Sequence, residues 1–133
     1  MDNINRAVRY IYYLSLITLL VIYIFPGSLI GYFLYGDLEK QPNLISNPAG
    51  TSINHFIFFV YLSIIALLSH LKKTKFKKTF AFILFLSITL ELLHLIIPNR
   101  SFEYSDLFAN LIGVLLGYFI ILIYKKRKNY EQI

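Results

Sequence analysis

The fold is decided by the run LFANLIGVLLGYFIILIY, which spans residues 107–124 and contains no charged side chain. A helix rises about 1.5 Å per residue, so roughly 20 apolar residues cross the hydrocarbon core of a membrane. Runs of similar length and apolar character occupy residues 8–25, 53–71 and 79–97. We therefore predict an all-α polytopic membrane protein, a small bundle of four transmembrane helices in a single domain over residues 1–133.

The composition argues against the main alternatives to this architecture. Hydrophobic residues make up 57% of the 133 residues, and the mean hydropathy is +0.62. A soluble domain of this size has too little interior to bury so much apolar surface. The runs do not alternate between apolar and polar residues, as the strands of a membrane barrel do. The lack of cysteine excludes disulfides, thiolate catalysis and cysteine-based metal sites.

Basic residues are concentrated in three places, which predicts the orientation of the helices. Most of the Lys and Arg residues lie before the first run, between the second and third, and after the fourth, as Arg6, Arg9, Lys72, Lys73, Lys75, Lys77, Lys78, Lys125, Lys126, Arg127 and Lys128. Because cytoplasmic loops are enriched in Lys and Arg, we predict that both termini lie in the cytoplasm. Contact with anionic lipid headgroups then explains the net charge of +6, and we predict no nucleic-acid partner.

The first outer link, residues 26–52, is long and contains turn-forming Pro and Gly residues. Its apolar section, residues 29–35, admits two interpretations. It is either a separate piece that lies at the membrane interface or re-enters the membrane, or an extension of the first helix past a kink. The first run has the basic start of a signal peptide, but its length and the lack of a small-residue cleavage pattern favour a permanent helix.

Apart from His70, the polar residues inside or beside the predicted spans converge on the outer side of the membrane. An ionisable residue within a span costs roughly 2.5–3.5 kcal/mol on insertion scales, so it is a functional candidate by default. Glu91 is the clearest such residue, and His94 follows it on the same helix face, so we predict both as acid–base catalytic candidates. The predicted binding residues are His55, Arg100, Asp106 and Asn110.

These residues also have structural interpretations. Asp106 is placed to cap the last helix, and Asn110 is placed to bond a neighbouring helix. Glu91 can form a salt bridge with Arg100 or His94 that only ties helices together.

A metal site is a further alternative. Glu91 and His94 have the Glu-x-x-His spacing of carboxylate-bridged helical bundles, and Asp106 and His55 are available as additional ligands. Such sites use two copies of the motif, whereas this sequence has one. We therefore predict no metal and no other cofactor. The glycine loops that bind nucleotides are also absent from the sequence.

Small residues in the last run predict close helix packing. Gly113 and Gly117 are four residues apart, and they continue a stripe that begins with Asp106 and Asn110. Small residues at this spacing let two helices approach closely. We expect the stripe to face the interior of the bundle, with its polar part at the outer end.

The last two runs carry a specific motif. The sequence reads ELLHLIIPNR over residues 91–100 and DLFANLIGVLLG over residues 106–117. The acidic residue, the Pro-x-Arg element and the Asp-(x)3-Asn-(x)2-Gly-(x)3-Gly spacing resemble the VanZ-like family of membrane proteins. His94 stands where many members have Gln, and His55 is similar to a His that members carry near the start of an earlier helix.

The resemblance implies a bacterial cytoplasmic-membrane protein, and the named member of the family is associated with low-level teicoplanin resistance. Our first hypothesis is an envelope protein that lowers susceptibility to glycopeptides or lipoglycopeptides at the outer leaflet. Its partners would be the lipid bilayer and a polyprenyl-linked wall precursor or the lipoglycopeptide itself. The alternatives are a membrane-embedded acid–base enzyme acting on a lipid-linked phosphate or ester, and a structural or accessory membrane protein.

Overall fold

The residues that the structure describes form helices and connecting turns, without strands. The computed structural model describes residues 2–42, 50–71 and 73–130. Its helices are α1 (Asp2–Ile24), α2 (Leu29–Tyr35), α3 (Ser52–Ser69), α4 (Lys73–Leu93) and α5 (Tyr104–Tyr130). The all-α fold class is confirmed for this part of the chain.

Three helices are long and apolar enough to cross a membrane, in the segments Asn5–Ile24, Ser52–Ser69 and Tyr104–Lys128. α4 has 21 residues, but its first turns carry four of the five lysines of the predicted inner link and its last turn carries Glu91. These charges leave α4 a shorter uncharged stretch, residues 79–90, than the other long helices have. The described residues thus contain three membrane-capable helices, against the four predicted from the apolar runs.

Contacts at the two ends of the bundle show the direction of the long helices. Tyr23, near the end of α1, lies against His55 at the start of α3, which in turn faces Asp106 at the start of α5. At the opposite end, Lys125 of α5 lies over the ring of Phe76 near the start of α4. α1 and α4 therefore run one way, and α3 and α5 the other. We call the end that holds Tyr23 the polar end, and the end that holds Lys125 the basic end.

The most extensive helix contact joins α3 and α5. A methyl group at Gly113 would lie 2.7 Å from the Phe56 carbonyl oxygen, and one at Gly117 would lie 2.5 Å from Ser63 Cβ. Both distances are shorter than carbon can approach its neighbours in a packed interior. The two glycines therefore permit this contact, and the stripe of small residues faces α3.

Apolar side chains fill the interior between the long helices. The fully buried ones include Phe59, Leu62, Ile83 and Val114. Large apolar side chains also cover much of the outside of the bundle, including Leu14, Ile17, Phe85, Phe119 and Ile123. A soluble monomer rarely exposes so much apolar surface, whereas a helix that faces lipid requires it.

α1 and α2 are separate helices. Between them, Gly27 has φ +81°, a conformation that L side chains rarely adopt. Ser28 then caps α2, because its Oγ accepts a hydrogen bond from the Gly31 N–H at 2.9 Å. The interpretation of α2 as an extension of the first helix is therefore wrong, and its interfacial or re-entrant placement stays a prediction. Residues 43–49 of this link lie outside the described residues.

α4 ends at Leu93, four residues before the predicted run 79–97 does. The His94 N–H bonds the Glu91 carbonyl three residues back, at 3.1 Å, instead of continuing the α-helical pattern. Pro98 follows and disfavours helical geometry in the residue before it. His94 consequently lies in a tightened turn beside the end of α4.

Candidate functional site

Side chains from four helices meet in the interior of the polar end. α1 supplies Tyr23, α3 supplies His55 and α4 supplies Glu91, while α5 supplies Asp106 and Asn110. None of the five is more than 5% exposed, and Glu91 and Asn110 are wholly buried. Buried polar groups are tolerated when they are bonded to one another. We call these five residues the buried polar cluster.

The imidazole of His55 lies between the two carboxylates of the cluster. Its Nε2 is 3.3 Å from Asp106 Oδ2, and its Nδ1 is 3.6 Å from Glu91 Oε2. The Tyr23 hydroxyl oxygen is 2.8 Å from the same Nδ1 and 3.3 Å from Asn110 Oδ1. An imidazole in this position can pass a proton between two acids or, together with them, hold a cation.

Glu91 accepts hydrogen bonds from several sides. The Glu103 N–H donates to it at 3.3 Å, and Asn110 Nδ2 donates at 3.5 Å. His94 Nδ1 lies 3.5 Å from Glu91 Oε1, a contact between residues three apart at the end of α4. Within the described residues Arg100 makes no ion pair with Glu91, so the alternative pairing with Arg100 is not formed.

Asp106 bonds α3 rather than its own helix. Ser52, the first residue of α3, donates its hydroxyl to Asp106 Oδ1, while Oδ2 faces His55. The carboxylate lies in the first turn of α5, where the helix dipole favours a negative charge. The interpretation of Asp106 as a mere helix cap is wrong, because its side chain joins two helices.

Arg100 places a fixed positive charge beside the cluster. Its Nη2 donates to the Ile22 carbonyl at 2.7 Å and its Nε to the Phe25 carbonyl at 3.4 Å, at the end of α1. Burial lowers the pKa of the Arg100 guanidinium, while the nearby Tyr23 and Glu91 raise it. An arginine remains protonated under such shifts, so the charge persists at neutral pH.

Two adjoining cavities open beside the buried polar cluster. The first, which we call the polar chamber, has a volume of about 320 Å³ and is lined mainly by polar groups, including Asn99, Ser101, Glu103 and Asp106. The second, the apolar chamber, has a volume of about 270 Å³, and Ile22, Ile30, Leu34 and Phe58 are among its lining residues. Both chambers are lined by Ser28, Gln41, His55, His94 and Arg100.

His94 offers a free polar atom at the boundary of the two chambers. Its ring stacks on Tyr23, with the ring centres 5.5 Å apart and the planes at 16°. Its Nε2 is buried and has no hydrogen-bond partner in the part of the chain that the structure describes. A buried polar atom without a partner is costly, so a ligand group that bonds it would be favoured.

Comparison with known proteins identifies the family. The sequence matches the VanZ/LLP1 family over residues 10–125 of the 133. The chain belongs to the VanZ/LLP1 family. Neither the curated proteins nor the solved structures contain a match to it. Membership of the VanZ/LLP1 family and the three membrane-capable helices together indicate a multi-pass membrane protein.

In this VanZ/LLP1 protein the predicted site residues lie together at the polar end. His55, Glu91, Asp106 and Asn110 belong to the buried polar cluster, while His94 and Arg100 line both chambers. Two further residues contribute to the site and are not predicted from the sequence. Tyr23 falls at the end of an apolar run, where tyrosine is common in membrane helices, and Ser52 belongs to no motif.

Three residues of the VanZ/LLP1 protein could hold a metal ion. His55, Glu91 and Asp106 each offer one ligand atom, and these atoms lie within 4.8 Å of one another. The same three residues can instead share protons, since an imidazole between two carboxylates is an acid–base arrangement.

Proposed function

We propose that all four long helices cross the bacterial cytoplasmic membrane, with both termini inside and the polar end at the outer leaflet. The alternating helix directions support this arrangement, and so does the location of most Lys and Arg residues near the basic end. The lysines at the start of α4 would extend to the inner headgroups, which leaves the apolar part of α4 to span the hydrocarbon.

Reporter fusions test this topology. We expect green fluorescent protein fused after residue 133 to fluoresce and alkaline phosphatase at the same position to be inactive, because an even number of spans returns the chain to the cytoplasm. Alkaline phosphatase inserted at Gly36, in the predicted outer link, should be active. An active phosphatase at the C-terminus would contradict the proposal, since it would mean that α4 does not cross.

We further propose that the polar end binds an envelope lipid that has an anionic headgroup. The observation that carries this proposal is the pair of adjoining chambers, one polar and one apolar, that share Arg100 and His94. Arg100 supplies a positive charge for a phosphate, and His94 Nε2 supplies a buried atom without a partner. A lipid chain would lie in the apolar chamber, and a polyprenyl-linked wall precursor has this chemistry.

Binding of this kind connects the site to antibiotic susceptibility. Teicoplanin carries a lipid tail and binds cell-wall precursors at the outer leaflet, where the polar end is proposed to lie. A protein that holds a wall precursor or the antibiotic's tail there would reduce the amount of antibiotic bound to its target. We therefore propose a contribution to low-level glycopeptide or lipoglycopeptide resistance.

Susceptibility measurements test the proposed role. We expect expression of the wild-type chain in a susceptible Gram-positive host to raise the minimum inhibitory concentration of teicoplanin. Glu91→Gln should abolish the increase, because Glu91 contacts both His55 and His94. His70→Gln, a substitution outside the polar end, is the matched control at equal membrane abundance. An unchanged inhibitory concentration on both overexpression and deletion would rule the role out.

A membrane-embedded enzyme is the second candidate. The observation that favours it is the His55 imidazole between two buried carboxylates, next to a chamber that contains Arg100. Arg100 would hold a lipid phosphate or ester while Glu91 or His94 moves a proton. Glu91→Gln and His94→Ala variants that fold and still convert the lipid phosphate or ester at the wild-type rate would count against catalysis by these two residues. If Glu91→Gln only lowers thermal stability, the cluster has a structural role.

A further inference from the structure

We propose that His55, Glu91 and Asp106 bind one divalent transition-metal ion, for which Zn²⁺ is the best match. The sequence alone argues against a metal, because its Glu-x-x-His motif occurs once. The fold supplies what the motif lacks by bringing ligands from α3, α4 and α5 within 4.8 Å of one another. The ion would join three helices at the polar end and is distinct from the lipid proposed above.

Two of the ligand atoms already have the spacing that such an ion requires, and the third must move toward them. Zinc bonds to nitrogen and oxygen are about 2.0–2.2 Å long, so neighbouring ligand atoms around a tetrahedral ion are about 3.4 Å apart. His55 Nε2 and Asp106 Oδ2 are 3.3 Å apart. Glu91 is the ligand that must move, since its Oε2 now lies nearer to Nδ1 of His55, at 3.6 Å. A movement of the Glu91 carboxyl group toward His55 Nε2 and Asp106 Oδ2 would complete the set.

A second contact orients each of the two closer ligands. The Tyr23 hydroxyl bonds His55 Nδ1 at 2.8 Å, which leaves Nε2 for the ion. The Ser52 hydroxyl donates to Asp106 Oδ1, which leaves Oδ2. In zinc sites the second ring nitrogen of a histidine ligand is almost always bonded in this way, and the bond sets the orientation of the ring.

The charges of the cluster also call for a cation. Two carboxylates lie in the interior of the bundle, and burial costs each ionised group several kcal/mol unless it is paired. Across the described residues, their ion-pair partners are the imidazoles of His55 and His94, and neither is paired with Lys or Arg. A divalent ion neutralises both carboxylates while the two imidazoles stay uncharged. One imidazole with two carboxylates suits Zn²⁺, Mn²⁺ or Fe²⁺.

The site is also accessible from outside. His55 and Asp106 line the polar chamber, so an ion and a water molecule have a path to the ligands. Three protein ligands leave a fourth position for water or a bound group, the arrangement of catalytic rather than structural zinc.

Metal titration of the full chain tests the site. The protein is purified in detergent, dialysed against EDTA and titrated with ZnCl₂, with MnCl₂ for comparison. We expect one Zn²⁺ per chain by elemental analysis, a higher Tm on binding, and an X-ray absorption spectrum with nitrogen and oxygen donors that include one imidazole. Lipid and antibiotic are absent from this experiment, so its failure would leave the proposed lipid binding standing.

Variants locate the bound ion. His55→Gln and Asp106→Asn should abolish stoichiometric Zn²⁺ binding, and Tyr23→Phe should weaken it about 10–100-fold by freeing the His55 ring. His70→Gln and Asp37→Asn remove the same chemical groups outside the ligand set and both chambers, and should bind normally. An Asp106→Asn chain that folds and keeps wild-type affinity overturns the proposal. So does a wild-type chain that takes up neither metal or whose spectrum lacks imidazole, a result that holds even if a variant fails to fold.

Discussion

Gly113→Ala and Gly117→Ala lower the thermal stability of the protein in detergent, and Gly113→Leu prevents its accumulation as a folded chain. This is the result we expect, because the added Cβ at Gly113 would lie 2.7 Å from the Phe56 carbonyl oxygen and 3.0 Å from Phe59 Cβ. A backbone oxygen cannot move aside as the end of a flexible side chain can. Overpacking of this kind costs typically 1–3 kcal/mol, and leucine adds three more carbons.

The measurement is the melting temperature from size-exclusion chromatography of heated samples, with folded yield as the second readout. Leu116→Phe is the control, since it adds comparable bulk to an exposed position of the same helix. We expect the control to melt like the wild-type chain. If Gly113→Leu also melts like wild type, then α3 and α5 do not pack as described. A loosened α3–α5 contact would also separate His55 from Asp106, so ligand binding should fall together with stability.

The fold follows from simple features of the sequence. The four apolar runs predict the four long helices, because a helix is the structure that satisfies its own backbone hydrogen bonds in lipid. The helix ends are less predictable. α1 begins at Asp2 rather than at residue 8, because the polar residues before the apolar run do not prevent helix formation. α4 ends at Leu93, because the chain turns ahead of Pro98.

The candidate site is only half visible in the sequence. Topology alone predicts that Glu91, Asp106 and Asn110 lie at the same end of the bundle, because hydropathy decides which helix ends coincide. Topology does not predict that His55 lies between two carboxylates, because this position depends on how α3 is rotated about its axis relative to α4 and α5. That rotation is governed by side-chain packing, including the approach at Gly113, and packing is a property of the assembled bundle.

Arg100→Met should reduce the affinity for a polyprenyl phosphate by at least tenfold, the second large effect that we expect. Hydrogen bonds to a charged group contribute about 1.5–3 kcal/mol each, which corresponds to roughly 10–150-fold in affinity. Two of the guanidinium nitrogens already bond the Ile22 and Phe25 carbonyls, so the side chain is held in place at the two chambers. The remaining terminal nitrogen is then the donor available to a phosphate.

The comparison of variants separates charge from geometry. Arg100→Lys keeps the charge but cannot bond two carbonyls and a phosphate from one planar group, so we expect an intermediate affinity. Lys40→Met removes a cation from an exposed position of the link that follows α2 and should bind as the wild-type chain does.

Binding is measured by native mass spectrometry of the detergent-solubilised protein, with phosphatidylglycerol as a two-chain anionic competitor. If Arg100→Met binds the polyprenyl phosphate as tightly as the wild type, the two chambers do not form a headgroup site. If Arg100→Lys binds the polyprenyl phosphate as tightly as the wild type while Arg100→Met does not, the positive charge matters more than the planar geometry of arginine. The phosphate is then held by electrostatic attraction at the end of α1.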